Sequence, residues 1–305
     1  MPELPEVETV VRGLRAVLPG RTIVGVRLGK TDFIDDPALL AESVPGKRVV
    51  SIARYGKFID IAFDPAANSP EAEQFHLIVH LGMTGRLVVR DAAEPAPKHA
   101  HAFFELDDGR ELRYVDSRRF GRMLVLDGAA AAGKFHGVLG AEPLEISAAD
   151  FRARLSARRA RIKALLLDQH VLCGIGNIYA DESLWTARIH PAHIAARLGA
   201  ERLDELWRAM RGVLRHAIKM RGSSISDFVD ADGNPGSYQQ RHCAYDREGE
   251  PCPRCGTAIR RAMVAGRSSY FCSRCQPAPR AKRRARRDAS RKRARAKPSP
   301  AKRGR

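Results

Sequence analysis

Two pairs of cysteines have the spacing of metal ligands. Cys252 and Cys255 form one Cys-x2-Cys pair, and Cys272 and Cys275 form a second pair after residues 256–271. Each pair can hold one edge of a metal ion with two thiolates, and two pairs complete the tetrahedral coordination of zinc. The pattern predicts one structural zinc ion rather than two disulfides, which would require an oxidising compartment.

The segment between the two pairs predicts a β-hairpin with its tip at residues 265–267. Arg267 is then an exposed donor at the end of a zinc-stabilised arm. Zinc ribbons bind DNA, RNA and proteins alike, so this module leaves the class of partner open.

The second residue of the chain is a proline. Once Met1 is removed, Pro2 presents a secondary amine that is partly unprotonated near neutral pH. Such an amine can attack a sugar C1′ to give an iminium ion, which acidifies the neighbouring C2′–H for elimination. Glu3 and Glu6 are near enough in sequence to supply an acid or a base. Most chains that begin Met-Pro carry no such function, so this feature needs further context.

A glycine-rich turn, Gly-Ile-Gly-Asn at residues 174–177, separates two segments with helical periodicity. Backbone N–H groups at the start of the second helix predict a phosphate site, with Asn177 as an additional donor. Lys163, Arg161 and Arg158 on the preceding helix are expected to add positive charge. The alternative is that the glycines only terminate a helix.

The positive charge is concentrated at the C-terminal end. The net charge is +18, and residues 278–305 contain fourteen Lys or Arg against one acid, Asp288, which leaves +5 for residues 1–277. This distribution favours a polyanionic partner, DNA or RNA. The alternative is a solubilising tail, and its composition predicts disorder in the free protein. No apolar run reaches the length of a membrane span, and the acidic N-terminus does not resemble a signal peptide, so we expect a cytoplasmic protein.

Hydrophobic periodicity divides the rest of the chain into three parts. Apolar residues at helical spacing follow the N-terminus, and residues 22–126 then contain eight short β-rich runs that predict a β-sandwich or barrel without intervening helices. Beyond Pro143 the periodicity becomes helical. Residues 222–243 are polar and rich in Gly, Ser, Asp and Asn, which predicts a mobile loop.

Several motifs in a fixed order resemble the formamidopyrimidine-DNA glycosylase family, which includes the bacterial 8-oxoguanine glycosylase/AP lyases. They are MPELPEVETVVRG, YGKF, HLGMTGRL, DSRRFGRM, GIGNIYADESLW and CPRCG with GRSSYFCSRCQ, and the similarity covers residues 2–277. The resemblance implies a multidomain α+β protein with an N-terminal helix plus β-sandwich, a helix–two-turns–helix domain and a zinc ribbon. We expect domains at residues 1–135, 136–232 and 233–277, followed by the basic tail at 278–305.

The resemblance also implies the catalytic residues. Pro2 matches the family's Schiff-base nucleophile, and Glu3 matches its proton donor and shuttle. Lys57 matches the lysine that assists β-elimination and contacts phosphate, and Arg267 matches the arginine at the lesion phosphate that helps δ-elimination. No cofactor is expected for catalysis.

A further set of residues matches positions that support the site or contact DNA in the family. The set comprises Glu6, Met83, His99, Arg118, Phe120, Arg158 and Asn177. Met83, Arg118 and Phe120 match the wedge that fills the hole left by a flipped-out nucleotide, and core packing is the alternative for Met83 and Phe120. The loop at 222–238 matches the region that covers the flipped purine.

The expected partner is double-stranded DNA that contains oxidised bases or abasic sites, bound by a monomer associated with the nucleoid. Three alternatives remain: an endonuclease VIII-type glycosylase for oxidised pyrimidines, a catalytically inactive DNA-binding protein, and an RNA-binding zinc-ribbon protein. This sequence departs from the family at Ser117, where a proline is common, and in a longer surface loop at residues 64–75. Cys173 is expected to be a small buried residue.

Overall fold

The computed structural model describes residues 1–64, 74–225 and 228–279. Most of the predicted tail and of the predicted long surface loop lies outside these ranges. The helices of the described residues are α1 (Leu4–Val17), α2 (Pro37–Ser43), α3 (Ala129–Gly137), α4 (Ala148–Ser156), α5 (Ile162–Leu167), α6 (Asn177–Thr186) and α7 (Ala200–Lys219), with 3-10 turns at Ala195–Arg197 and Tyr238–Arg241. The strands are β1 (Ile23–Leu28), β2 (Val49–Tyr55), β3 (Phe58–Phe63), β4 (Phe75–His80), β5 (Arg86–Asp91), β6 (Ala100–Leu106), β7 (Arg110–Val115), β8 (Arg122–Asp127), β9 (Ile259–Val264) and β10 (Arg267–Cys272).

The first eight strands form two antiparallel four-stranded sheets, with strand orders β1-β6-β7-β5 and β2-β3-β4-β8. The sheets pack face to face over a core that includes Phe63, Phe104 and Tyr114, and α1 contributes Val7 and Val11 to the same core. The predicted β-sandwich is confirmed.

A short helix between β1 and β2 contradicts the expectation of strands without intervening helices. α2 begins at Pro37 and is capped by Asp36, whose carboxylate accepts a hydrogen bond from the N–H of Leu39 at 2.9 Å. An acidic cap followed by proline is a common helix start, so the sequence did contain a signal for this element.

The helical domain has its own core, formed mainly by α4, α5, α6 and α7. The helical periodicity expected beyond Pro143 is clearest in α7, whose core residues include Leu203, Leu206, Met210 and Leu214. The helix expected before the glycine-rich turn, with Arg158, Arg161 and Lys163 on it, is short and comprises only Ile162–Leu167. Residues 168–172 turn back instead, and Asp168 O accepts hydrogen bonds from Val171 N and Leu172 N.

Helix α1 joins the two large domains. Leu4 at its start belongs to the core of the helical domain, whereas Val7, Val10 and Val11 belong to the core of the sandwich. The N–H of Leu4 donates to Gly174 O at 2.9 Å. The N-terminus is therefore fixed between the domains.

The hairpin of β9 and β10 packs on α6 as a third module with a small core of its own. Its turn lies at Ala265 and Gly266, which both have positive φ, so the predicted hairpin and tip are confirmed. Among the described residues, no helix is both long and apolar enough to span a membrane.

Candidate active site

A cavity of about 510 Å³ lies where the three modules meet. Seven of the residues predicted from the sequence line it: Pro2, Glu3, Glu6, Lys57, Met83, Asn177 and Arg267. They come from the N-terminus, the sandwich, the helical domain and the zinc hairpin. His99, Arg118, Phe120 and Arg158 are outside this lining.

Glu3 is held by the N-terminus of α6. Its carboxylate accepts hydrogen bonds from the N–H groups of Gly176 at 2.8 Å, Ile178 at 2.9 Å and Tyr179 at 3.3 Å. The helix dipole favours an anion at this position, and so do these N–H groups, which have no partner within the helix. Glycine is required at 176, because a Cβ there would lie 2.4 Å from the Glu3 carboxyl carbon.

This contact corrects the prediction that these N–H groups point outward as a phosphate site. The protein's own Glu3 accepts hydrogen bonds from three of them, and Asn177 lines the cavity. Lys163 was expected to add positive charge for DNA, but it is fully buried and paired with Asp181 at 2.7 Å.

Glu6 is buried beside Glu3. It accepts hydrogen bonds from the N–H of Glu3 at 2.8 Å, from the N–H of Ser223 at 2.7 Å and from the hydroxyl of Tyr179. Burial, reinforced by the negative charge of Glu3, raises the pKa of Glu6 to about 7 despite these hydrogen bonds. Glu6 can therefore hold or release a proton near neutral pH.

Lys57 lies in the tight turn between β2 and β3, where Gly56 adopts a positive φ of 57°. Glu142, from the start of the helical domain, accepts hydrogen bonds from the N–H of Gly56 and from Arg54, the latter at 2.8 Å. Burial lowers the pKa of Lys57, and the nearby carboxylates of Glu3 and Glu6 oppose that effect. The turn that carries Lys57 is thus held at the cavity by residues of both domains.

Arg267 is the first residue of β10 and is exposed at the edge of the cavity. The strand is fastened to the helical domain beside it. Lys163 donates to Ser268 O at 2.8 Å, and Asp181 accepts from the N–H of Tyr270 at 3.0 Å.

The four predicted metal ligands come together at the base of this hairpin. The Sγ atoms of Cys252, Cys255, Cys272 and Cys275 all lie within 4.8 Å of one another. A tetrahedral zinc ion with bonds of about 2.3 Å requires sulfurs roughly 3.8 Å apart, which this cluster can meet with small adjustments. The donor set fits one structural zinc ion. Cys173 is buried as predicted, against Gly56.

Met83 and Phe120 are exposed, with relative accessibilities of 41% and 56%, which excludes the core-packing alternative for both. The guanidinium group of Arg118 lies 4.4 Å from the centre of the Phe120 ring, so the two side chains form one stacked unit. His99 is half-buried, and Arg158 is exposed with its Nε bonded to Arg154 O at 2.9 Å.

Sequence reasoning missed several residues that support the site. Gln169 accepts from the N–H of Gly174 and donates to Ile175 O, both at 2.8 Å, and thereby fixes the glycine-rich turn. Tyr179 and Ser223 hold Glu6, and Glu142 holds the Lys57 turn. Tyr179 is the second residue after the GIGN turn, which was the available signal. The other contacts join positions distant in sequence.

These features define a class. The site is that of a multidomain enzyme acting on nucleic acid, with its reactive groups in a cleft between domains and an exposed arginine–aromatic pair beside it.

Comparisons with known proteins identify the family. Three family models match in order: the formamidopyrimidine-DNA glycosylase N-terminal domain over residues 1–123, its H2TH domain over 139–229, and the zinc finger found in FPG and IleRS over 249–278. A formamidopyrimidine-DNA glycosylase from Chloroflexus aurantiacus is 45% identical over 287 residues, which are 90% of this chain and 98% of the relative. One from Herpetosiphon aurantiacus is 45% identical over 281 residues, covering 90% and 100%.

Solved structures agree. A Lactococcus lactis FPG mutant bound to DNA that contains Fapy-dG superposes with a TM-score of 0.83 at 32% identity, over 91% of this chain and all of that one. The MutM (FPG) protein from Thermus thermophilus gives a TM-score of 0.78 at 39% identity, over 92% of this chain and all of that one. The chain belongs to the formamidopyrimidine-DNA glycosylase family. It is a DNA glycosylase of base excision repair, and lyase activity is typical of the family.

Proposed function

We propose that this enzyme removes formamidopyrimidines and 8-oxoguanine from double-stranded DNA and then cleaves the strand by β,δ-elimination, with Pro2 as the nucleophile. The observation that carries the proposal is the shared cavity of Pro2, Glu3, Glu6, Lys57 and Arg267. Related FPG proteins bind DNA that contains Fapy-dG or an abasic site, which supports the substrate class.

The first step requires removal of Met1, because a Met1–Pro2 peptide bond leaves Pro2 without a free amine. Met1 is half exposed, with a relative accessibility of 51%, and is accessible to processing. The amine of Pro2 then attacks C1′, the bond from C1′ to the purine breaks, and the base leaves with a proton. Glu3 takes the proton that the Pro2 nitrogen loses as it bonds to C1′ and passes it to the leaving purine. A second proton, from the Glu3–Glu6 pair, goes to O4′ as the C1′–O4′ bond breaks, which opens the sugar ring and gives an iminium ion at C1′.

The resulting iminium ion accepts electrons as C2′–H is lost and the C3′–O bond breaks, which releases the 3′ phosphate. A second elimination breaks the C5′–O bond and releases the 5′ phosphate. Lys57 assists the first elimination and Arg267 the second, each next to a phosphate whose departing charge it stabilises. No metal takes part, because zinc in a closed four-cysteine site has no open position.

Each of the three predicted domains contributes residues that bind DNA. Residues 1–135 carry the nucleophile and the wedge of Met83, Arg118 and Phe120, which compensates for lost stacking when the nucleotide flips. Residues 136–232 contribute Asn177 and Arg158, and His99 of the first domain contacts the backbone as well. Residues 233–277 bring in Arg267. The enzyme acts as a monomer, in the cytoplasm on nucleoid DNA.

Borohydride trapping tests this proposal. A duplex with 8-oxoguanine opposite cytosine should give a covalent protein–DNA band with the wild type, and the band should be lost or greatly weakened with Pro2→Gly. Pro19→Ala is the matched control, because Pro19 is exposed in a turn outside the cavity lining. A Pro2→Gly band as strong as that of the wild type would refute the role of Pro2.

An endonuclease VIII-type preference for oxidised pyrimidines is the second candidate. It is favoured by one observation, the complex of a related Lactococcus lactis FPG with DNA that contains an oxidised pyrimidine. Parallel excision assays on 8-oxoguanine and thymine-glycol duplexes discriminate the two. We expect the purine lesion to be released faster.

A further inference from the structure

Asp116, which directly follows β7, has a fully buried carboxylate that collects four hydrogen bonds. One oxygen accepts from the hydroxyl of Thr84 at 2.5 Å and from the N–H of Arg118 at 3.2 Å. The other accepts from the hydroxyl of Tyr114 at 3.0 Å and from the N–H of Gly121 at 3.0 Å. A buried carboxylate is tolerated only when its oxygens are bonded in this way.

Three of these four donors, Thr84, Arg118 and Gly121, belong to the two loops that carry the proposed wedge, and the fourth, Tyr114, lies in β7. Thr84 is the neighbour of Met83, and the N–H groups of Arg118 and Gly121 bracket Phe120. The Thr84 hydroxyl and the backbone N–H groups of Arg118 and Gly121 thus connect both loops to one carboxylate. The side chains of the wedge itself make none of these bonds.

The loops also pack backbone against backbone. Gly82 has a φ of 63°, and a Cβ there would lie 2.4 Å from the carbonyl carbon and oxygen of Phe120. At Gly121 a Cβ would lie 1.7 Å from the hydroxyl oxygen of Tyr114. The N–H of Asp116 donates to His99 O at 2.9 Å, which connects a further predicted DNA-contact residue to the same point.

We propose that Asp116 is the positioning residue of the wedge: through Thr84 and the backbone of Arg118 and Gly121 it fixes Met83 and the Arg118–Phe120 pair in one arrangement before DNA binds. The inference rests on the proposed function, since it assigns a support to the proposed wedge. Side chains fixed beforehand lose less conformational entropy when they enter the base stack.

Two features of this chain make such a support necessary. Ser117 stands where the family often has proline, so the loop lacks that residue's fixed φ. Arg119 adopts a positive φ of 53°, which is unfavourable for a residue with a Cβ. The bonds to residues 118 and 121 hold the loop on both sides of this strained position.

The carboxylate is charged in this setting. Burial opposes ionisation, but the hydrogen bonds from Thr84, Gly121, Tyr114 and Arg118 outweigh it and lower the pKa of Asp116. An amide at this position has a single acceptor oxygen, so it leaves the N–H of Arg118 or Gly121 without a partner.

Thr84→Val is the main test, because valine has nearly the same shape as threonine but lacks the hydroxyl. That hydroxyl donates to Asp116 at 2.5 Å and also accepts from the N–H of Arg118 at 3.3 Å, while the other three bonds to Asp116 remain. Thr84→Ser keeps the hydroxyl and should restore the wild-type behaviour. Thr22→Val is the matched control: within the described part of the chain, the Thr22 hydroxyl makes no hydrogen bond, and Thr22 lies at the start of β1 in the sandwich. Asp116→Asn is a second variant with a larger expected effect on duplex opening. Its thermal unfolding is measured as well, so that a loss of folding is distinguished from a loss of wedge positioning.

Two measurements separate wedge insertion from chemistry. Stopped-flow fluorescence of 2-aminopurine next to 8-oxoguanine reports opening of the duplex, and borohydride trapping on a single-stranded abasic oligonucleotide reports imine formation without a base stack to open. We expect Thr84→Val to slow duplex opening and excision about tenfold, mainly because the hydrogen bond to the charged Asp116 is lost, together with the longer contact from the N–H of Arg118. Single-strand trapping should change by less than about twofold, since no wedge is needed there.

Duplex opening by Thr84→Val at the wild-type rate would overturn the inference. An equal loss of single-strand trapping would also overturn it, because the effect would then be general. If the wild type opens the duplex but gives no covalent band, the proposed nucleophile fails, and the comparison of opening rates still decides the role of Asp116.

Discussion

The ammonium group of Lys163 lies 2.7 Å from the carboxylate of Asp181, and both side chains are buried. The pair joins α5 to α6, and each partner also bonds to the backbone of β10, Lys163 to Ser268 O and Asp181 to the N–H of Tyr270. The zinc hairpin is thereby fixed to the helical domain next to Arg267.

Lys163→Met should destabilise the protein by about 3–5 kcal/mol. Burial already raises the pKa of Asp181 to about 7 with Lys163 present, so without Lys163 the carboxylate must either stay buried and unpaired or take up a proton to fold. The double variant Lys163→Met, Asp181→Asn should recover part of this loss, since the amide oxygen can still accept from Tyr270. Urea unfolding of the three proteins measures both effects. Equal destabilisation of the single and double variants would contradict the assignment of a charged pair.

Glu6 should make stability depend on pH. Because burial raises its pKa to about 7 from 4.5, the folded protein binds a proton that the unfolded chain releases between these values. The contribution of Glu6 is therefore fully present below pH 4.5 and is lost as the pH rises through about 7. Relative to Glu6→Gln, the free energy of unfolding of the wild type should fall by about 3 kcal/mol between pH 4.5 and 8.

Denaturant unfolding of both proteins across this pH range measures the difference. Glu145→Gln, at an exposed position in the helical domain, serves as the control and should track the wild type. A constant difference between the wild type and Glu6→Gln would show that Glu6 titrates alike in the folded and unfolded states.

The parts of the fold that the sequence predicted depend on local patterns. Alternating apolar residues gave the eight strands of the sandwich, and the Cys-x2-Cys spacing gave the hairpin with Arg267 near its tip. The motifs shared with the family supplied Pro2, Glu3 and Lys57, which the structure brings to one cavity.

The errors came from long-range contacts. The N–H groups at the start of α6 were assigned to phosphate because nothing local shows that Glu3, more than 170 residues earlier, accepts their hydrogen bonds. Lys163 was placed on the surface because a lysine in a basic segment is usually exposed, and its burial depends on Asp181 in the next helix. Asp116 shows the same limit, since its partner Thr84 lies on another loop.

Loss of the zinc site should remove Arg267 from the cavity without unfolding the sandwich. Cys272→Ser opens the four-cysteine cluster, and the module's own small core cannot hold the hairpin alone. We expect loss of bound zinc and at least about a tenfold drop in the product of the second elimination on duplex DNA, with the sandwich amides still protected from hydrogen exchange. Cys243→Ser, a cysteine outside the cluster, should keep its zinc and its activity. Full activity in zinc-free Cys272→Ser protein would refute the structural role of the metal.

The basic tail should add non-specific affinity for DNA. The zinc-finger family model ends at residue 278, and residues 278–305 carry a net charge of +13. Lysines and arginines that neutralise phosphates release counterions, so binding weakens with salt in proportion to the number of contacts. Deletion of 278–305 should make the slope of log Kd against log salt shallower by about 6, if roughly half of the tail's basic residues contact phosphate. The excision rate at saturating enzyme should not change, because Pro2 and its cavity are intact.

Fluorescence anisotropy with undamaged duplex from 50 to 300 mM salt, about the range in which such contacts are lost, measures the slope. An unchanged slope would show that the tail makes no phosphate contacts and would leave solubility as its role.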